Sequence, residues 1–248
     1  MSSRKGKNHK ALRAPLRADL YYFIWKCFVT IAGGTAYVAN WRILAITHQL
    51  LRVKNGDVKR LIINQPPRSL KSISTSVAYV AWLLGHDPSL RIIVVSYSSE
   101  LAEELHRQFR AVVTSEWYQE LFPRMRLAKD TGIELVTTCG GGRYATSIGG
   151  SLTGRGGDYI VIDDPHKAEA ALSNHHCALA VQIDQCRADA NKRRMMHGVQ
   201  RAQAIAAFEA PNCFFVLACS SAGPASLSPC DSVIWIARDP AGLAFCND

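Results

Sequence analysis

The 248-residue sequence contains no uninterrupted apolar run of the roughly 20 residues that a membrane-spanning helix needs. Its most apolar early stretch, Tyr21–Ala39, is broken by Lys26 and by Gly33-Gly34, which predicts an amphipathic helix followed by a loop and no membrane partner. A secretory leader is also missing. Arg4, Lys5, Lys7 and Lys10 are not followed by a compact apolar segment and a small-residue cleavage site, so a cytoplasmic protein with reduced thiols is expected. None of the eight cysteines forms a CxxC pair, and the spacing of His175-His176-Cys177 from Cys186 is not that of a zinc site. No acidic residue precedes Asp19, whereas six Lys/Arg do. Residues 1–18 are therefore read as a loose basic arm, either a solvated tail or an electrostatic contact with nucleic acid. There is no internal repeat.

What is present is ordinary in bulk and uneven in placement. Apolar residues make up 48% and charged residues 20%, values of a globular chain rather than a disordered or collagenous one. The net charge of +9 falls entirely within residues 1–165, which hold 22 Lys/Arg and 13 Asp/Glu; residues 166–248 hold 7 of each. Six of the eight cysteines lie after residue 170.

The apolar pattern predicts an α/β domain. A helix is expected over Trp41–Val53, ended by Asn55-Gly56, and a buried strand over Arg60–Asn64. Pro66 and Pro67 make Gln65–Leu70 a loop. A helix over Ser72–Leu84, closed by Gly85 and Asp87-Pro88, leads to a second strand, Arg91–Ser96. A further helix, Ser99–Val113, takes Ser99 as its N-cap, and Glu116–Leu121 forms a short helical piece. Strands follow over Thr131–Thr138, Arg143–Ser147 and Tyr159–Ile162, an order that predicts a mostly parallel sheet. Beyond about residue 173 the pattern weakens. Cys177–Ala207 is an interrupted helical pattern and Ser220–Ser228 a coil.

Two segments carry chemistry. Gln65-Pro66-Pro67-Arg68-Ser69-Leu70-Lys71-Ser72 joins a buried strand to a helix, in the order of a phosphate-binding loop. Such a loop offers backbone N–H groups and a helix N-terminus to phosphate oxygens, with a Lys for the terminal phosphates and a hydroxyl for Mg²⁺. Gln65 and Leu70 stand where the usual glycines would be, and Lys-Ser alone also fits an ordinary helix start. The second segment, Tyr159–Pro165, is a strand ending in Asp163-Asp164, which fits either a turn or the Mg²⁺-binding and water-orienting half of a nucleotide triphosphatase. The two follow separate strands in the required order, which favours the triphosphatase. Arg68 can reach a phosphate in cis. Five glycines in Gly149–Gly157 suit either close backbone approach or a flexible loop.

Several strings resemble the ATPase domain of bacteriophage terminase large subunits: Leu61-Ile-Ile-Asn-Gln-Pro-Pro-Arg-Ser-Leu-Lys-Ser, Ala81-Trp-Leu-Leu-Gly-His-Asp-Pro, Ser96-Tyr-Ser-Ser-Glu-Leu-Ala and Gly150-Ser-Leu-Thr-Gly-Arg-Gly-Gly-Asp-Tyr-Ile-Val-Ile-Asp-Asp-Pro. The resemblance covers roughly residues 20–173. It implies a P-loop NTPase of the RecA-like, additional-strand type, a three-layer sandwich with a mostly parallel sheet, using ATP and Mg²⁺. It implies that Lys71 and Ser72 are the Walker A lysine and hydroxyl, Asp163 the Walker B aspartate sharing Mg²⁺ with Ser72, Asp164 the catalytic carboxylate, and Arg68 a sensor of the γ-phosphate. The nucleotide would lie along Gln65, Pro66, Pro67, Arg68, Ser69, Leu70, Lys71 and Ser72. Trp41 or Arg42 would meet its base, against the alternative of a core tryptophan. Implied partners are double-stranded DNA, a terminase small subunit, the portal and procapsid, and copies of the chain in a ring, in the cytoplasm of a bacterial host. After residue 173 the resemblance stops. The expected layout is a basic arm (1–18), an ATPase domain (19–173) and a tail (174–248) read out of frame or truncated, without the last sheet strands, the coupling segment or the nuclease domain. The alternatives are an inactive prophage relic that binds only nucleotide or DNA, and a helicase-like P-loop ATPase.

Overall fold

Three runs of branched apolar residues form the centre of the sheet: β1 (Arg60–Gln65), β2 (Arg91–Ser96) and β6 (Gly157–Asp163). Such runs suit strands buried on both faces. Each ends in polar residues, and the ends of β1 and β6 help form the site. The computed structural model describes residues 13–65, 68–148, 150, 155–164, 214–218 and 232–243.

The sheet has eight strands in the order β3-β4-β5-β2-β6-β8-β1-β7. The remaining strands are β3 (Leu127–Asp130), β4 (Glu134–Thr137), β5 (Gly142–Ser147), β7 (Phe214–Ala218) and β8 (Ser232–Leu243). β2 pairs in parallel with β5 and β6, and β1 with β7. The other four pairings, β3–β4, β4–β5, β1–β8 and β6–β8, are antiparallel. The sheet is thus mixed, not mostly parallel as the sequence suggested. One cause is the β3–β4 hairpin, of which only β4 was expected; the other is β8, which enters from the last third of the chain and runs against both neighbours.

The helices are α1 (residues 13–18), α2 (Leu20–Ile31), α3 (Trp41–Asn55), a π-helical segment (Ile73–Tyr79) running into α4 (Val80–His86), α5 (Ser99–Val113) and α6 (Glu116–Leu121). α2 to α5 and α6 share one core with Leu61, Ile63, Ile92, Val94, Tyr159 and Val161. The alternate residues Ile93, Val95, Ile160 and Ile162 form a separate cluster on the opposite face, with Tyr144 and Ile148. Among the described residues the helices therefore cover one face, and the third layer of the expected sandwich is not among them. The reason is topological. The steps β1 to β2 and β2 to β5 travel the same way across the sheet, and right-handed crossovers then place both connecting helices on the same side.

Local chemistry sets the helix ends. Asp19 caps α2 through Tyr21 N, Asn40 caps α3 through Ile43 N, and Gly56, at φ 90°, takes the left-handed turn that closes α3. The cap of α5 is Ser98, whose Oγ accepts from Leu101 N, one residue before the expected Ser99. The α4 helix passes through Gly85 and ends at His86 with Asp87 as its C-cap, so of the expected closing residues Asp87-Pro88 ends it and Gly85 does not. A Cβ at Gly85 would lie 2.5 Å from the Phe122 ring, so glycine permits that contact instead of ending the helix. Residues 13–18 of the expected loose arm are helical, with Leu16 buried and Arg13 paired to Glu120; residues 1–12 lie outside the described residues.

The expected tail contributes structure. β1 is flanked by β7 and β8, and both belong to it. Ile234 and Ile236 are buried in the main core. The Arg238 guanidinium donates to the carbonyls of Val53 and Lys54, satisfying the last turn of α3 where positive charge is favoured. Between Gly157 and Tyr159 the β6–β8 register slips, opposite the part of β8 that holds Pro240, a residue with no N–H to give a ladder. The interrupted pattern over Cys177–Ala207, the coil over Ser220–Ser228 and the His175–Cys177 group lie outside the described residues.

Candidate active site

The carboxyl ends of β1 and β6 and the helix after β1 bring four sequence-selected side chains together. Lys71 Nζ donates to Asp164 Oδ1 at 2.9 Å, and Ser72 Oγ donates to Asp163 Oδ1 at 3.0 Å. A third donor was not foreseen. Ser76 Oγ reaches the other oxygen of Asp163 at 2.6 Å. Its spacing from Ser72, four residues along one helix, was the available signal. Ligand sites in open α/β sheets lie outside such strand ends.

Asp163 is fully buried. Burial first, and then the neighbouring Asp164 carboxylate, push its pKa up to about 6, against the pull of the Ser76 hydrogen bond and Lys71. A buried carboxylate under that strain is stabilised in its charged form by a nearby cation. With the hydroxyl of Ser72 beside it, the donor set is hard oxygen, which fits Mg²⁺. Among the described residues no group of three or more His, Cys, Asp or Glu is gathered. A phosphate-bound Mg²⁺ needs none, because it is held by one or two protein oxygens plus phosphate oxygens and water.

The loop backbone explains the absent glycines. Arg68 and Leu70 adopt φ of 62° and 61°, the left-handed region where a side chain costs about 1–2 kcal/mol. Leu70 thus holds the glycine conformation without being glycine, and its side chain packs against the main core. Asp164, at φ 46°, is also left-handed, which Asp tolerates better than most residues. Beyond the loop the helix is π-wound, with Ser74 Oγ and Thr75 Oγ donating back to the carbonyls of Leu70 and Lys71. π-Turns are rare and concentrate at functional sites.

Gln65 ends β1 fully buried, and Ser69 Oγ lies in the loop; neither the Gln65 carboxamide nor that hydroxyl has a hydrogen-bond partner among the described residues. Orphaned polar atoms around a loop of this shape fit a polar ligand. Arg68 is exposed. Pro66 and Pro67, and Gly149 with residues 151–154 of the glycine-rich segment, lie outside the described residues. Trp41 is not a core residue. It is 64% exposed at the start of α3, with the Arg42 guanidinium 5.9 Å from its ring centre, and no hydrogen bond among the described residues joins it to the Lys71 group.

A second buried polar group escaped the sequence reading. Arg143, on β5, is 1% exposed and donates from Nη1 to His106 Nδ1 at 2.6 Å, over the Phe109 ring. His106 Nε2 in turn meets the Thr131 carbonyl at 3.0 Å, which fixes a neutral imidazole with its proton on Nε2. Burial, and then Arg143, lower the His106 pKa to about 4.

No protein-family model matches this chain, and no curated protein matches it. No helix among the described residues is long and apolar enough to cross a membrane.

Proposed function

We propose that the chain is a P-loop nucleotide triphosphatase. More specifically, it is read as the ATPase domain of a phage terminase large subunit, hydrolysing ATP to drive double-stranded DNA into a procapsid. One observation carries the reading: Lys71 and Ser72 on one strand–helix junction meet Asp164 and Asp163 on another strand, about 90 residues later, at 2.9 and 3.0 Å. In this reading Lys71 takes the terminal phosphates. Ser72 and Asp163 hold Mg²⁺, which neutralises charge on the phosphate oxygens when bound. Asp164 orients the attacking water, and Arg68 faces the developing charge. Catalysis is positioning and electrostatics, without a covalent intermediate. The motor assignment rests on the terminase-like strings. It brings with it a ring of copies, the small subunit and the portal, and the +9 surface as a grip on DNA phosphates that weakens steeply with salt.

The test is phosphate release from ATP by the whole chain and by Lys71→Ala, with and without double-stranded DNA. Release that depends on Lys71 and Mg²⁺ is expected, with DNA stimulation for the motor. Equal release from both proteins refutes the triphosphatase reading. Lys71-dependent release that ignores DNA refutes the motor alone.

A further inference from the structure

We propose that the side chain of Gln65 touches the terminal phosphate and the attacking water; this rests on the ATPase reading above. The position is one where phosphate loops ordinarily have glycine, so the side chain is an addition of this chain. Three observations support it.

First, strand alternation puts Gln65 on the same face of the sheet as Leu61 and Ile63, the face that Asp163 shares with Tyr159 and Val161. Second, the register sets its height. On β8, Gln65 pairs with Ser232 and Asp163 with Ile234, so Gln65 stands two residues, roughly 7 Å, further toward the mouth of the site. Third, Gln65 is fully buried, yet both ends of its carboxamide lack a partner among the described residues. An unsatisfied buried amide is costly, and methionine or leucine fills the same volume without that cost. A carboxamide persists there for what it binds.

The ligand chemistry follows from the group. A carboxamide carries a donor and an acceptor side by side. Nε2 donates to a γ-phosphate oxygen, and Oε1 accepts one hydrogen of the water. The water oxygen bonds to the γ-phosphorus and the bond to the β,γ-bridging oxygen breaks. ADP leaves with that electron pair, and the water's proton passes to the Asp164 carboxylate. Gln65 neither gains nor loses a proton. It fixes direction, which is worth much in a reaction that depends on in-line geometry.

Gln65→Met keeps length and volume and removes both polar atoms. The expected result is kcat lowered by about 10²-fold, KM for ATP and affinity for a fluorescent ATP analogue within about threefold, and an unchanged or raised melting temperature. Gln65→Glu, which keeps the acceptor but replaces the donor by a carboxylate facing phosphate, should lower kcat and raise KM. That variant decides the matter if Gln65→Met does not fold. An unchanged kcat in either folded variant overturns the proposal while leaving the ATPase reading intact. For Gln65→Met, a kcat loss matched by lost nucleotide affinity or a lower melting temperature also overturns it, because that is a structural role. Wild-type release that does not depend on Lys71 overturns both.

Discussion

Lys71 Nζ and Asp164 Oδ1 are 2.9 Å apart, with the lysine 4% exposed and the aspartate 25%. The cation that would bind phosphate is held by the carboxylate that would orient water. On the ATPase reading, a nucleotide would exchange one anionic partner of Lys71 for another and so release Asp164 for the water, which would make binding and the arming of the base one event.

Asp164→Asn separates the two effects. The variant should bind ATP several-fold more tightly, since no carboxylate competes for Lys71, while phosphate release falls by about 10²–10⁴-fold. Equilibrium titration with a fluorescent ATP analogue, set beside turnover, checks both. Weaker binding would mean that the ion pair organises the loop rather than competing with phosphate.

Arg68 combines an exposed guanidinium with a left-handed backbone. Arg68→Gly removes both. Relief of backbone strain, of about 1 kcal/mol, is opposed by the greater freedom of glycine in the unfolded chain. The melting temperature should hold or rise slightly while ATP turnover drops. Thermal unfolding and phosphate release on one preparation test this, and retained turnover would remove Arg68 from the site.

His106 gives the fold a pH dependence of definite sign. Its folded pKa of about 4 lies below the ordinary 6.5, so the unfolded chain takes up the proton first. The contribution is complete above about pH 6.5 and is lost as pH falls toward 4, by roughly 3 kcal/mol in all. Gln at this position can still accept from Arg143 and donate to the Thr131 carbonyl, and it does not titrate. Urea unfolding at pH 7 and pH 4.5 should show the wild type losing roughly 2–3 kcal/mol more than His106→Gln. Equal losses would show that the imidazole is not the sensitive group.

Ending the chain at residue 213 removes β7 and β8 and with them both neighbours of β1. The strand that leads into the Gln65–Leu70 loop would be left with two open edges. Such edges aggregate, so the shortened protein should be insoluble or broadly unfolded by circular dichroism. A soluble, cooperatively melting 1–213 fragment would show that the last third is dispensable.

The first two-thirds of the fold were legible because their signals are local. Branched runs marked β1, β2 and β6, and Asn55-Gly56 marked the end of α3. The grouping of Lys71, Ser72, Asp163 and Asp164 was legible for a different reason, since strand ends on one edge of a sheet converge. What failed was non-local. Gly85 reads as a helix stop until Phe122 is known to lie against it. Trp41 reads as core because tryptophan usually is. The direction of β8 depends on which gap it fills, and nothing in Ser232–Leu243 itself states that. Arg143 and His106 look like surface residues when taken alone, and only their pairing makes burial tolerable.

The position of β1 between β7 and β8 also sets an order of events. A chain made from its N-terminus exposes Arg60–Gln65 early, but neither hydrogen-bonding neighbour of that strand exists until residues 214–243 have been added. At the usual 5–20 residues per second, that delay is on the order of ten to thirty seconds. Throughout it the strand before the Gln65–Leu70 loop is apolar and unpaired, open to wrong pairings. The loop that would hold the nucleotide is thus among the last parts of the molecule to acquire its shape.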